Sequence, residues 1–225
     1  MRFMHQKIID CLKIDMKISW EHFEEKIGEF SKAEQHVINI VLEKFYDESC
    51  LVKAKISTEA DFNKLFYEDG SSELNEFLQA MFDCFKVWQF RKGIELSKAL
   101  YEHTNRGVDN WFPIVIIDEK VNEFVTDSNY VTVYRGCNLT EYETKQFKLR
   151  QSWSSDFEIA KLFAFHYSSG KVSLEDRVVI KAKVKKEDIL WGKVYESECV
   201  LAINFSPLSY SIEMTFDDFK SIPEI

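Results

Sequence analysis

The chain has 225 residues, of which 45% are hydrophobic and 15% aromatic, with only 7 Gly and 3 Pro. That composition supports a packed core and excludes a disordered or linker-dominated chain; the length allows one large domain, or a small one with a substantial extension. The formal net charge of −9 sits mostly in the first part: residues 1–130 hold 16 Lys+Arg against 24 Asp+Glu, and residues 131–225 hold 13 against 14. An acidic chain has no general grip on phosphate backbones, so a nucleic acid would have to meet a local basic patch.

The chain opens on an apolar stretch that Asp10 and Asp15 interrupt, which does not read as a secretory signal. No apolar run approaches the roughly 18 residues of a membrane span. The expected location is the cytosol, or a host cell reached without a standard signal peptide. Trp20, Phe23, Ile27 and Phe30 recur at helical spacing. Ser31 followed by Glu34 reads as a capping box, with Val37, Ile40, Val41 and Phe45 as the next apolar face. Ser71 or Ser72 is placed to cap a third helix carrying Leu74, Phe77, Leu78, Met81, Phe82 and Phe85. Gly93 breaks or kinks the helical pattern, and a last helix runs through Leu96 and Leu100. Core packing explains such stripes better than a partner surface does.

The character changes near Trp111. Pro113 precedes the apolar run Ile114–Ile117, and β-branched segments come after it at Val131–Tyr134, Val178–Val184, Val200–Phe205 and Tyr210–Phe216. Lys181, Lys183 and Lys185 alternate with Ile180, Ala182 and Val184, which gives a strand one buried face and one charged face. The fold class expected is α+β: a helical N-terminal half, then a mixed, mostly antiparallel β core. The five cysteines (Cys11, Cys50, Cys84, Cys137, Cys199) and five histidines (His5, His22, His36, His103, His166) show no zinc spacing. Reduced thiols and no metal are expected. Phosphate-loop, dinucleotide-fold, HExxH and GxSxG signatures are absent.

Three features of the second half stand out in order. Val131-Thr132-Val133-Tyr134-Arg135-Gly136 is a strand running into Arg-Gly. Ser152-Trp153-Ser154 is followed by Ala160 and then Phe163, eight and eleven residues after Ser152. Glu196-Ser197-Glu198-Cys199-Val200-Leu201 is a Glu-x-Glu entering an apolar strand. This layout, over roughly residues 131–205, resembles the Arg-Ser-Glu class of mono-ADP-ribosyltransferases of bacterial toxins, phages and vertebrate ectoenzymes. The chain departs from that family at Trp153, where the family usually has Thr. The division expected from the resemblance is a helical region 1–110 and an NAD-binding core 111–225, or one continuous domain.

The resemblance implies cleavage of NAD, as co-substrate, at its nicotinamide–ribose bond. Glu198 would face the positive charge that builds on the ribose, as in glycoside cleavage. Ser152 would orient Glu198, and Arg135 would hold the diphosphate through its guanidinium fork. Gly136 would admit the nicotinamide amide close to the backbone, and Phe163 would belong to the NAD site. Glu196 would engage an arginine acceptor, and Trp191, exposed in the turn ahead, would stack on it. Arg135, Ser152 and Glu198 would then meet in one cleft, and Arg135 and Glu198 on opposite faces of the sheet would sink the assignment. The leading acceptor is a protein arginine; the alternatives are a nucleic acid reached through the lysines near Lys181, water (an NAD glycohydrolase), or none (an inactive binding module). A toxin, effector, toxin–antitoxin component or phage enzyme fits this pattern, and the acidic half is a candidate dock for an inhibitor or antitoxin protein.

Overall fold

The computed structural model describes residues 4–50, 72–104, 111–167, 173–193 and 197–222. Ser71 and Glu196 lie outside the described residues. The chain divides into two compact units, Met1–Ile116 and Ile117–Ile225.

The first unit is helical: α1 (Gln6–Asp10), a short π-helical stretch Cys11–Asp15, α2 (Trp20–Glu29), α3 (Lys32–Ser49), α4 (Ser72–Phe90) and α5 (Gly93–Thr104). The α2–α3 junction is dictated by its sequence. The Ser31 hydroxyl accepts from Glu34 N at 3.3 Å, and the Glu34 carboxylate accepts from Ser31 N at 2.9 Å, so two helix-end donors are satisfied. Gln35 closes the end of α2 by donating to Ile27 O and Phe30 O. The buried stripe of α3 is Ile38, Val41, Leu42 and Phe45. Val37 and Ile40, expected in that stripe, are exposed, because the register of the buried face sits one position further along. Gly93 opens α5 at φ +56°, a left-handed conformation that glycine tolerates best, and so breaks it from α4. Phe23, Phe30, Phe77 and Trp111 form the aromatic heart of this unit.

The second unit is one six-stranded sheet with short helices. Its strands are β1 (Tyr130–Asn138), β2 (Ser152–Ser154), β3 (Arg177–Lys185), β4 (Ile189–Gly192), β5 (Glu198–Leu201) and β6 (Ser209–Thr215). The order is β4-β5-β2-β1-β3-β6, and every neighbouring pair is antiparallel. With the helical unit this makes a mixed α+β protein. Helices α6 (Leu139–Glu143), α7 (Phe157–Phe165) and α8 (Phe216–Lys220) complete it.

Strand alternation sends consecutive side chains to opposite faces. Val133, Cys137, Trp153, Ile180, Ala182, Val184, Cys199 and Leu201 fill one face with Phe147 and Phe205. On the other face Val179 and Tyr134 meet α7 through Ala160 and Ala164. Lys181, Lys183 and Lys185 stand opposite Tyr134, Thr132 and Tyr130 on β1. They obey the period-two pattern of the sequence, on the face opposite the main core. Among the described residues, no helix is long and apolar enough to cross a membrane.

Candidate active site

The Ser-x-Ser motif folds as β2, paired with β5 so that Ser152 stands opposite Val200 and Ser154 opposite Glu198. Ser152 and Glu198 are thus diagonal neighbours on one face. The Ser152 hydroxyl donates to Glu198 Oε1 at 2.8 Å. Glu198 opens β5, and its side chain is only 11% exposed. Ser197, just before it, holds φ +48°, a conformation that costs a non-glycine residue about 1–2 kcal/mol. Ser155 steadies that strained turn by donating to Ser197 O from both its backbone N–H (2.9 Å) and its hydroxyl (3.2 Å).

The other two residues of the motif serve the fold. Ser154 Oγ accepts from Asp156 N at 3.0 Å, and Asp156 caps α7 by accepting from Glu158 N at 2.8 Å. Trp153, the departure from the family pattern, turns to the opposite face. It is 2% exposed, packs edge-on against Phe147 and Phe205, and donates to Arg150 O at 2.8 Å. The indole therefore enlarges the core and leaves the Ser152 side untouched. Gln151, buried ahead of the motif, accepts from Ile117 N at 2.9 Å and donates to Ile117 O at 2.7 Å and Leu201 O at 2.8 Å.

Arg135 stands opposite Ile180, on the core face of β1, whereas Tyr134 shares the face of Ser154 and Glu198. Arg135 and Glu198 thus leave the sheet on opposite sides, contrary to the expected convergence. Alternation dictates this, because Arg135 is one residue from Tyr134. The guanidinium nevertheless reaches Ser152 from behind: Nη1 donates to Ser152 O at 2.7 Å, and Nε lies 3.4 Å from Glu141 Oε2. Ser152 is the residue both touch, by its carbonyl to Arg135 and its hydroxyl to Glu198.

Two expected ligand contacts receive different explanations. Gly136 was expected to let a nicotinamide amide approach. A Cβ there would lie 2.5 Å from Ala160 O and nearer still to Ala164 N, so the close approach is made by the α7 backbone. Trp191 was expected exposed in a turn; it lies in β4 opposite Val200 and is 6% exposed. The irregularity between Ile189 and Trp191 turns its side chain onto the Glu198 face. Phe163 is 43% exposed on α7, with its ring 5.6 Å from that of Tyr167. Arg177 ties the end of α7 to β1: it donates to Ala164 O, Phe163 O and Asn138 Oδ1, and burial lowers its pKa from the usual value.

One residue at the site carries no motif. Lys193 comes directly after β4, and its ammonium lies 2.9 Å from Glu198 Oε2. A lysine two positions beyond a tryptophan carries no sequence signal, and only the β4–β5 pairing brings it to Glu198. The neighbouring Cys199 side chain lies in the core on the other face, where burial pushes its thiol up to about 11. Among the described residues, no group of three or more His, Cys, Asp or Glu could hold a metal ion. A cavity of about 420 Å³ lies at the far end of β1, lined by Lys120, Tyr130, Lys185 and Lys186 among others, away from Ser152 and Glu198. No protein-family model, curated protein or solved structure matches this chain.

Proposed function

We propose that residues 117–225 cleave NAD at the nicotinamide–ribose bond and transfer ADP-ribose to an acceptor, as a mono-ADP-ribosyltransferase. The observation that carries the reading is the Ser152–Glu198 pair: a largely buried carboxylate held by a serine 46 residues away in sequence, on adjacent strands. Glycosidic cleavage builds positive charge on the sugar, and a fixed carboxylate in a water-poor site is the group that stabilises it. The motif order in the sequence supplies the donor's identity, NAD. Arg135 supports the reading as a backbone brace for Ser152. Its contact with the diphosphate rests on the sequence motif alone, and its position on the other face of the sheet counts against that contact and against the Arg-Ser-Glu assignment itself.

The acceptor proposed first is a protein arginine, on the sequence position of Glu196. One observation favours a nucleic acid instead. Glu198, Ser154, Tyr134 and Lys181 form a row across four adjacent strands of one face, which sets the lysine-bearing strand about 14 Å from the carboxylate at the usual strand spacing. Lys181 pairs with Glu213 and Lys185 with Glu187, which reduces the charge that strand offers a phosphate backbone. The intracellular toxin or effector setting belongs to this proposal.

The test is incubation of the full chain with labelled NAD, alone and with whole-cell lysate. Release of nicotinamide and transfer of label are expected, both reduced by about 10²–10³-fold in Glu198→Gln, which keeps shape and removes charge. No nicotinamide release from the wild type, or equal release by Glu198→Gln, refutes the reading.

A further inference from the structure

Lys193 is brought to Glu198 by the order of the strands. β5 lies between β4 and β2, so Glu198 receives Ser152 on Oε1 from one side and Lys193 on Oε2 from the other. The two contacts engage different oxygens of the one carboxylate. Lys193 is itself held in place. Its backbone N–H donates to Glu198 O at 2.8 Å. The preceding Gly192 is clamped by Asn122, whose side-chain amide donates to Gly192 O and accepts from Gly192 N, each at 2.9 Å. The ammonium lies 5.0 Å from the centre of the Trp191 ring, and the side chain is 18% exposed. Lysines in general keep their charge in water; this one is kept over an indole and against a carboxylate.

We propose, resting on the glycosidic reading above, that Lys193 is a positioning residue. With Ser152 it fixes both oxygens of Glu198, so that the carboxylate presents one orientation to the ribose of the donor. Two effects compete when the ammonium is removed. A cation beside Glu198 repels the charge developing on the sugar, so its loss would speed cleavage. A Glu side chain released on one side spreads over its torsions, and misplacement by about 1 Å costs on the order of 10²-fold in rate. The ammonium is ion-paired with the carboxylate at 2.9 Å, which offsets most of its field at the sugar, so repulsion is the smaller effect and orientation sets the sign.

The experiment compares Lys193→Met, of similar length without charge, and Lys193→Arg with the wild-type full chain. The readouts are kcat and KM for nicotinamide release, NAD affinity by calorimetry, and melting temperature. Lys193→Met is expected to lose about 10–100-fold in kcat with KM and NAD affinity little changed, and Lys193→Arg to recover most of it. Lys193→Met as fast as the wild type, or faster, overturns the inference while the loss in Glu198→Gln leaves the reading standing. A kcat loss that vanishes at a temperature where Lys193→Met is fully folded marks a purely structural lysine and also overturns it. A wild type that releases no nicotinamide overturns the reading and the inference together.

Discussion

Ser152 and Glu198 meet through a 2.8 Å hydrogen bond in which a hydroxyl donates to a carboxylate. Hydrogen bonds to charged groups contribute about 1.5–3 kcal/mol. If the glycosidic reading holds, Ser152→Ala lowers kcat for nicotinamide release by roughly 10–100-fold, the same energy expressed as rate. The fold is expected to tolerate the change, since Ser152 is exposed at the end of a three-residue strand. Stopped-assay kinetics on the folded variant measure this, and an unchanged kcat contradicts it.

Gly136 is a matter of stability. A methyl there meets backbone atoms of α7, Ala160 O and Ala164 N, which no rotamer can move. Gly136→Ala is expected to cost about 1–3 kcal/mol, and each kcal/mol lowers the melting temperature by roughly 4–8 °C in a unit of this size. Gly28, inside α2, has nothing within 4 Å of an added Cβ. Gly28→Ala should therefore be neutral or stabilising by up to about 1 kcal/mol. Thermal melting of both variants checks the contrast.

The buried thiols predict an alkaline loss of stability. Burial pushes Cys199 up to about 11 and Cys137 up to about 12 from an ordinary 9.0. A folded-state pKa above the unfolded one means that the native state binds more protons between the two values. The stabilisation is fully present below about pH 9 and is lost as pH rises toward 11 and 12. Denaturant midpoints from pH 7 to 10.5 should fall, and less steeply in Cys137→Ala. Over the same range Cys50, which is exposed, should react with a thiol reagent well before Cys11, Cys84, Cys137 and Cys199, which are buried.

On the proposed reading the acceptor is decided at Glu196, outside the described residues. A guanidinium is a poor nucleophile until it is oriented and begins to lose a proton. Glu196→Ala is expected to abolish transfer to protein while NAD hydrolysis continues. The comparison needs three assays, namely protein label, nucleic-acid label and free ADP-ribose. Wild-type label found only in nuclease-sensitive material rejects the arginine acceptor.

Local pattern carried much of the fold. The Ser31/Glu34 box, the break at Gly93 and the alternation of Lys181, Lys183 and Lys185 are short-range rules of capping, backbone freedom and pleat, and each is present where the sequence put it. Ser152 and Glu198 were legible as a motif pair, and strand pairing brings them into contact. The residues placed otherwise than expected depend on tertiary contacts. Gly136 serves a helix approach, Trp191 is turned onto the Glu198 face by a strand irregularity, and Arg135 is carried to the core face by the pleat. Lys193 was invisible, because its partner is set by which strand lies beside β5.

The buried amide of Gln151 bears on error in pairing. β2 has three residues, too few to hold its own alignment, and its two faces have opposite purposes. A slip by one position would push Ser152 into the hydrophobic interior and swing the indole of Trp153 out beside Glu198. The amide of Gln151 imitates a peptide unit: its oxygen accepts from Ile117 N, its nitrogen donates to Ile117 O and to Leu201 O, and Leu201 N returns a bond to Gln151 O. A misaligned β2 would forfeit these bonds at once, so misthreaded forms of the chain are disfavoured at the step where the strand docks.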